Sequence, residues 1–230
     1  MRIRILTCNL RYGRASANAL RDLIASKSID IVCEQELSIE LAEVISALLP
    51  YGDMSHDQIQ KGNGIASLHP VKMERIRIPK RDGWVATLCP NNWQQLPFAV
   101  EIVNVHISSP HVWPYFPRSI RRKAQVRALL ERRGRKNDVP HAVFGDFNAS
   151  PIWPVYKNMA AKYVDGALLP GGGEPKNGKT WPCVPKLGID GLLRIDHCFL
   201  WKLSAEKTQT VKIPGSDHLG LLVEIVVPKT

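Results

Sequence analysis

Asp146 and Asn148 sit two residues apart in Gly145-Asp146-Phe147-Asn148, after the apolar run Ala142-Val143-Phe144 and before Ala149-Ser150-Pro151. That order reads as a buried strand ending in a polar turn. Side chains two apart at a strand end point to the same side. The carboxylate and the carboxamide can therefore hold one water or one phosphate oxygen between them. On its own, Gly-Asp-x-Asn is as readily a plain turn. Its weight comes from what the other strand-like runs carry at their ends.

Ile3 to Cys8 runs into Asn9, and Ile29 to Cys33 runs into Glu34-Gln35-Glu36. Val100 to Val105 ends at His106-Ile107-Ser108-Ser109-Pro110. Arg194-Ile195-Asp196-His197 opens the run Cys198-Phe199-Leu200, and Ser216-Asp217-His218 opens the closing run Leu221 to Val227. Each cluster alone is a polar loop or a satisfied histidine. Together they deliver carboxylates, carboxamides and imidazoles to one composite site at a sheet edge. Hydrolysis of a phosphodiester asks for such groups: hard oxygen ligands for Mg²⁺ or Mn²⁺, an aligned water, and positive charge at the phosphate.

Read in order, the pieces Thr7-Cys8-Asn9, Glu34-Gln35-Glu36, Asn104-Val105-His106, Gly145-Asp146-Phe147-Asn148, Arg194-Ile195-Asp196-His197 and Ser216-Asp217-His218 resemble one family. It is the endonuclease/exonuclease/phosphatase superfamily, in its deoxyribonuclease I-like branch. The resemblance runs from near residue 5 to near residue 225. It implies an α+β fold, a four-layer α/β/β/α sandwich of two packed mixed sheets with helices outside. It implies a Mg²⁺-dependent (or Mn²⁺-dependent) phosphodiesterase, first of all a nuclease on DNA and also RNA. The alternative is a phosphoesterase of the same fold acting on a lipid or small phosphate ester.

The resemblance also assigns roles. Glu36 is the expected metal ligand, because the family's Gln-Glu pair aligns with Gln35-Glu36 and not with Glu34. Asn9 and Asp217 complete or support the metal site. Asp146 aligns and deprotonates the attacking water, and Asn148 holds the water or a phosphate oxygen. His218 gives the phosphate a proton or a charged hydrogen bond, with Asp196 as its partner. His106 resembles the second histidine of the deoxyribonuclease I branch. Glu101, five residues back in the same strand, points to the opposite face and cannot be its partner. His197 takes at most a supporting place.

Substrate contacts are expected from Arg118 and Arg122 and from Trp181. Nine Lys or Arg stand against one Glu between residues 118 and 136, either a solvated helix face or a strip for phosphates. Trp113, Tyr115, Phe116 and Trp181 read as packed loop aromatics, or as rings that stack on an unpaired base or wedge a groove. The net charge of +10 draws polyanions, nucleic acid first and anionic headgroups second.

What must position these groups is one domain, 1–230, with no repeat and no linker. Helices are expected over 16–28, from Ser38 to Leu49, over 118–133 and over 152–161, with strands between and a loop over 170–188. No apolar run reaches the ~20 residues of a membrane span. Five scattered cysteines without a Cys-x-x-Cys pair behave as small hydrophobes and favour a reducing compartment. A cytoplasmic monomer is expected, with a secreted form that has lost its signal as the alternative.

Overall fold

The structure is a computed structural model that describes residues 1–55, 62–110, 115–135, 138–168 and 178–228. Within those, the side chains of residues 55, 115–119, 133, 135 and 185 lie outside the description.

The chain begins β1 (Arg2–Asn9), α1 (Ala17–Ser26), β2 (Ile31–Leu37), α2 (Ile39–Ser46). Four strands follow: β3 (Tyr51–Ser55), β4 (Gly62–Ser67), β5 (Lys72–Ile78) and β6 (Arg81–Leu88). Then come β7 (Val100–His106), α3 (Tyr115–Arg135), β8 (His141–Asp146), α4 (Pro154–Ala160) and β9 (Val164–Asp165). The chain closes with β10 (Trp181–Val184), β11 (Ile189–Leu193), β12 (Asp196–Trp201), β13 (Ser204–Lys212) and β14 (Leu219–Val226).

Two mixed six-stranded sheets result, ordered β13-β14-β1-β2-β4-β3 and β5-β6-β7-β8-β12-β9. Alternation along the strands explains the layers. Ile3 and Ile5 of β1 join Ile102, Ala142 and Phe144 in the core between the sheets. Leu6 and Cys8, the intervening face, pack with Leu20 and Ile24 of α1 and Leu41 and Ile45 of α2. On the other sheet, Val103, Val105 and Val143 pack with Val126 and Leu129 of α3 and Met159 of α4. The strands read as unbroken apolar runs because both of their faces are buried. The outcome is the expected α/β/β/α sandwich. Ser16 and Ser38 cap α1 and α2 through their side-chain oxygens, as their sequence positions suggest.

Two connections decide where the chemistry goes. β1 and β2 are parallel and joined through α1; β7 and β8 are parallel and joined through α3. Their C-terminal ends, Asn9, Glu36, His106 and Asp146, therefore meet at one edge. β12 runs antiparallel to β8 and β14 antiparallel to β1, so the starts of these strands reach that edge too.

The loop expected over 170–188 contains structure. β10 and β11 form a separate antiparallel hairpin there. Pro182, Gly188 and Gly191 are turn and breaker signals that hid it. Residues 169–177 of that segment lie outside the description.

Gly145 is required for the approach of β7 to β8. Its φ is 140°, and a Cβ there would collide with the Val105 carbonyl oxygen. Gly145→Ala is expected to destabilise the fold by about 2–6 kcal/mol, summing a strained backbone and an overpacked core. Chemical denaturation at equilibrium checks this.

Candidate active site

Asp146 lies between two neighbours in register, His106 on β7 and Asp196 on β12. It is 1% exposed and its carboxylate is almost fully engaged. Oδ1 accepts the Asn148 N–H at 2.7 Å. Oδ2 accepts the amides of Asn9 at 3.1 Å and Asn148 at 3.0 Å, and His106 Nε2 lies 3.4 Å away. Burial, then repulsion from Asp196, lift its pKa to about 7 against the opposing pull of His218 and the amide donors.

The turn that follows is braced from outside. Asn148 sits at φ 49°, a conformation Asn tolerates. Its amide also donates to Ile107 O at 3.0 Å. Arg122 donates to Asn148 O at 2.7 Å. His197 Nε2 lies 2.6 Å from Ala149 O, and its Nδ1 faces Arg194 at 3.1 Å. Burial and then Arg194 lower the His197 pKa to about 4. A neutral His197 accepts from Arg194 and donates to the turn.

His218 Nδ1 lies 3.0 Å from Asp196 Oδ2. Burial opposes its charge, but Asp196, then Asp146 and Asp217, outweigh burial and raise its pKa to about 9. Thr180 Oγ1 accepts the Asp196 N–H at 3.2 Å, and Ser216 Oγ accepts the His218 N–H at 2.9 Å.

Glu36 reaches the site through a bulge. The β2–β4 register shifts between Gln35 and Leu37, and Glu36 takes φ 58°. A bulge re-aims a side chain, and Glu36 lines the cavity while accepting the Tyr12 N–H at 3.0 Å. Glu34 goes the other way. It is fully buried with no hydrogen-bond partner on either carboxyl oxygen, and burial pushes its pKa well above the usual carboxylate range. Gln35 ties the two sheets together, donating to Asn104 Oδ1 at 2.7 Å.

One cavity of about 650 Å³ gathers these groups. Asn9, Glu36, His106, Asp146, Asn148, Asp217 and His218 line it, with Trp181 at its wall. Asp196 lies behind His218. Trp181 Nε1 donates to Asp217 Oδ2 at 3.4 Å.

One sequence expectation changes. Arg122 does not line the cavity: it is 8% exposed, holds the Asn148 carbonyl and stacks 5.7 Å from the Trp153 ring centroid. Its place on the buried side of α3 makes it a brace. Two other arginines of the basic run along α3 have carboxylate partners. Arg132 is buried between Glu101 at 2.8 Å and Glu74 at 3.3 Å, and Arg127 meets Glu131 at 2.8 Å. Glu101 does face away from His106, as the strand period requires. Trp113 and Lys136 and the side chains of Arg118, Tyr115, Phe116, Arg133 and Arg135 lie outside the described residues.

Sequence reasoning missed Arg11, Tyr12, Arg14, Arg81 and Trp153, which also line the cavity. Arg81 Nη1 lies 2.6 Å from His106 Nδ1, while the carboxylate that faces this histidine is Asp146, with Oδ2 3.4 Å from Nε2.

The donor chemistry suits a divalent cation. Asp146, Asp196 and His218 each bring a ligand atom within 4.8 Å of the others, and Asp196 Oδ1 is buried without a hydrogen-bond partner. Glu36, Asn9 and Asp217 add oxygens on the cavity wall. An imidazole held charged by Asp196 is a poor ligand, which favours the oxygen set.

The model of the "Endonuclease/Exonuclease/phosphatase family" matches residues 6–218. No curated protein matches by sequence. Among solved structures, the chain is similar to humanized D. rerio TDP2 with 18% identity, 98% of this chain and 99% of that chain covered, and a TM-score of 0.75. The catalytic domain of human Nocturnin with bound sulfate is similar at 20% identity, 98% and 94% coverage and TM-score 0.70. A mannosyl-6-phosphatase of Bacteroides thetaiotaomicron VPI-5482 is similar at 16% identity, 98% and 100% coverage and TM-score 0.71.

Proposed function

The chain belongs to the endonuclease/exonuclease/phosphatase family, and from that membership we propose a divalent-metal-dependent phosphodiesterase that cuts nucleic acid, DNA first. The observation that carries the proposal is geometric: Asp146, fixed by Asn9 and Asn148, and His218, 3.0 Å from Asp196, face one cavity, the first with its pKa raised to about 7 and the second to about 9. Near neutral pH the first can take a proton while the second keeps its charge. Asp146 aligns and deprotonates water, with Asn148 and Asn9 fixing its carboxylate. Charged His218, held by Asp196, meets the phosphate oxygen on which charge grows. Glu36, Asn9 and Asp217 would hold Mg²⁺ or Mn²⁺, which lowers charge repulsion at the phosphate when bound.

The net charge and the arginines of the cavity wall, Arg11, Arg14 and Arg81, support a polyanionic substrate. A neighbour named as a mannosyl-6-phosphatase keeps a small phosphate ester as the second reading. Among the described residues no helix is long and apolar enough to cross a membrane. Five free cysteines support a reducing, cytoplasmic setting.

The test is a panel with Mg²⁺: plasmid, single- and double-stranded oligonucleotides, RNA, phosphoinositides, sphingomyelin and sugar phosphates. Cleavage of polynucleotide above all others is expected. Turnover of a monoester or lipid alone would overturn it.

Asp196→Asn probes the acid–base pair. Losing Asp196 removes the ion pair that raises His218 and the repulsion that raises Asp146. Rate should rise through the Asp146 pKa and fall through that of His218. Both limbs should therefore move to lower pH in Asp196→Asn, by about one unit or more. A pH profile of kcat that superimposes on wild type would refute the pairing.

A further inference from the structure

The mouth of the cavity carries a turn that packing alone does not explain. Arg11, Tyr12 and Gly13 take φ values of 48°, 58° and 75° in succession. For a bulky residue such as Tyr12 this is an outlier, and such strain persists only where the surroundings fix it. They do. Asn9 Oδ1 accepts the Arg11 N–H at 2.9 Å, Glu36 Oε2 accepts the Tyr12 N–H at 3.0 Å, and Leu10 O accepts the Arg14 N–H at 3.1 Å. Gly13 packs so tightly on Ser38 that a Cβ would lie 2.4 Å from the Ser38 Cβ. The strained turn is thus clamped to two groups of the reaction centre, and its product is a phenol ring 54% exposed at the cavity rim.

The ring has company of a particular kind. Trp153 and Trp181 also line the cavity, and Arg11, Arg14 and Arg81 stand among the three aromatics. Arginines that neutralise a backbone, interleaved with rings that offer flat apolar faces, form a surface for bases already out of a duplex. In a duplex the bases are stacked on one another, so a rim ring reaches one only by wedging into a groove, whereas an unpaired base offers its face directly.

We propose that the cavity mouth is a stacking platform on which Tyr12 holds an unpaired base next to the scissile phosphate, so that an unpaired strand or frayed end is the substrate. This rests on the nuclease reading and narrows it.

The experiment compares one 12-nucleotide DNA strand, its duplex and its RNA counterpart, for cleavage in Mg²⁺ and for equilibrium binding in EDTA. Tyr12→Asn removes the ring with a residue that suits the left-handed backbone; Tyr12→Phe and Tyr12→Trp keep a ring. Methyl 4-nitrophenyl phosphate reports wild-type hydrolysis without a strand, and anionic phosphatidylserine vesicles probe lipid binding. A preference of wild type for the single strand is expected. Tyr12→Asn should raise KM on it by about ten-fold, within the range of base–aromatic stacking, with kcat changed less. Tyr12→Phe and Tyr12→Trp should restore it. Equal cleavage of duplex and strand, or no effect of Tyr12→Asn, would overturn the platform and leave the nuclease intact. Hydrolysis of the small diester with no cleavage of any polynucleotide would overturn both readings. Binding to vesicles with none to the strand would overturn both in favour of a lipid.

Discussion

Asp146→Asn should lower kcat by about two to four orders of magnitude, the scale of general-base catalysis. The reason is in the contacts. The Asp146 carboxylate accepts from Asn9, Asn148 and the Asn148 N–H. A carboxamide in its place keeps the shape but turns one acceptor into a donor. It also removes the group whose pKa of about 7 lets it take a proton from water near neutral pH. The fold should survive, because the strand's packing rests on Val143 and Phe144. Far-UV circular dichroism should be unchanged, and KM should move less than kcat. Asn148→Ala should cost less, since it removes one support of the carboxylate and not the carboxylate itself. An Asp146→Asn enzyme within a few-fold of wild type would remove Asp146 as the base.

Much of this was legible because strand ends announce themselves. β1, β2, β7 and β8 are apolar runs broken by Asn9, Glu36, His106 and Asp146, and parallel connections bring such ends to one edge. Two-faced burial made those strands easy to read; the misses were the β10–β11 hairpin and, by a few residues, helix limits. α2 stops at Ser46, short of Leu49, because the polypeptide turns at Ala47 before Pro50 is reached.

What stayed hidden depends on tertiary geometry. The choice between Glu34 and Glu36 is made by a one-residue bulge, which no periodicity reveals. From the residues alone the two glutamates are equivalent; only the family alignment separated them. The carboxylate for His106 was sought in its own strand, yet it comes from Asp146 on the neighbouring β8, and Arg81 at the start of β6 meets the other ring nitrogen. Arg122 reads as a substrate ligand in a basic helix. The fold spends it on a backbone carbonyl, because the turn at Asn148 needs donors from outside to stay in its left-handed conformation. Tyr12 carried no signal at all, since a tyrosine after a strand is ordinary until its φ is known.

Exhaustive chelation should abolish hydrolysis, and Mg²⁺ or Mn²⁺ should restore it. The side chains offer it ligands. Asp146, Asp196, Asp217 and Glu36 crowd carboxylates into or behind one cavity that must receive an anion. His218 with Arg11, Arg14 and Arg81 are the cations there, and Asp196 already holds the imidazole. A divalent cation on hard oxygens is the chemistry that lets a phosphate in. Glu36→Gln separates this from a generic salt effect. The amide keeps the length of the side chain and can still accept the Tyr12 N–H, but loses the charge that would hold a metal ion. The Mg²⁺ concentration for half-maximal rate should rise at least about ten-fold, since even removing an outer partner of a metal ligand costs that much. A binding readout runs beside it. Wild-type Tm should climb with Mn²⁺ as the ion favours the folded state, and the Glu36→Gln curve should stay flatter over the same range. Full activity after chelation would discard the metal site. A Glu36→Gln protein with wild-type metal dependence would move the ligand role to the cluster of Asp146 and Asp196.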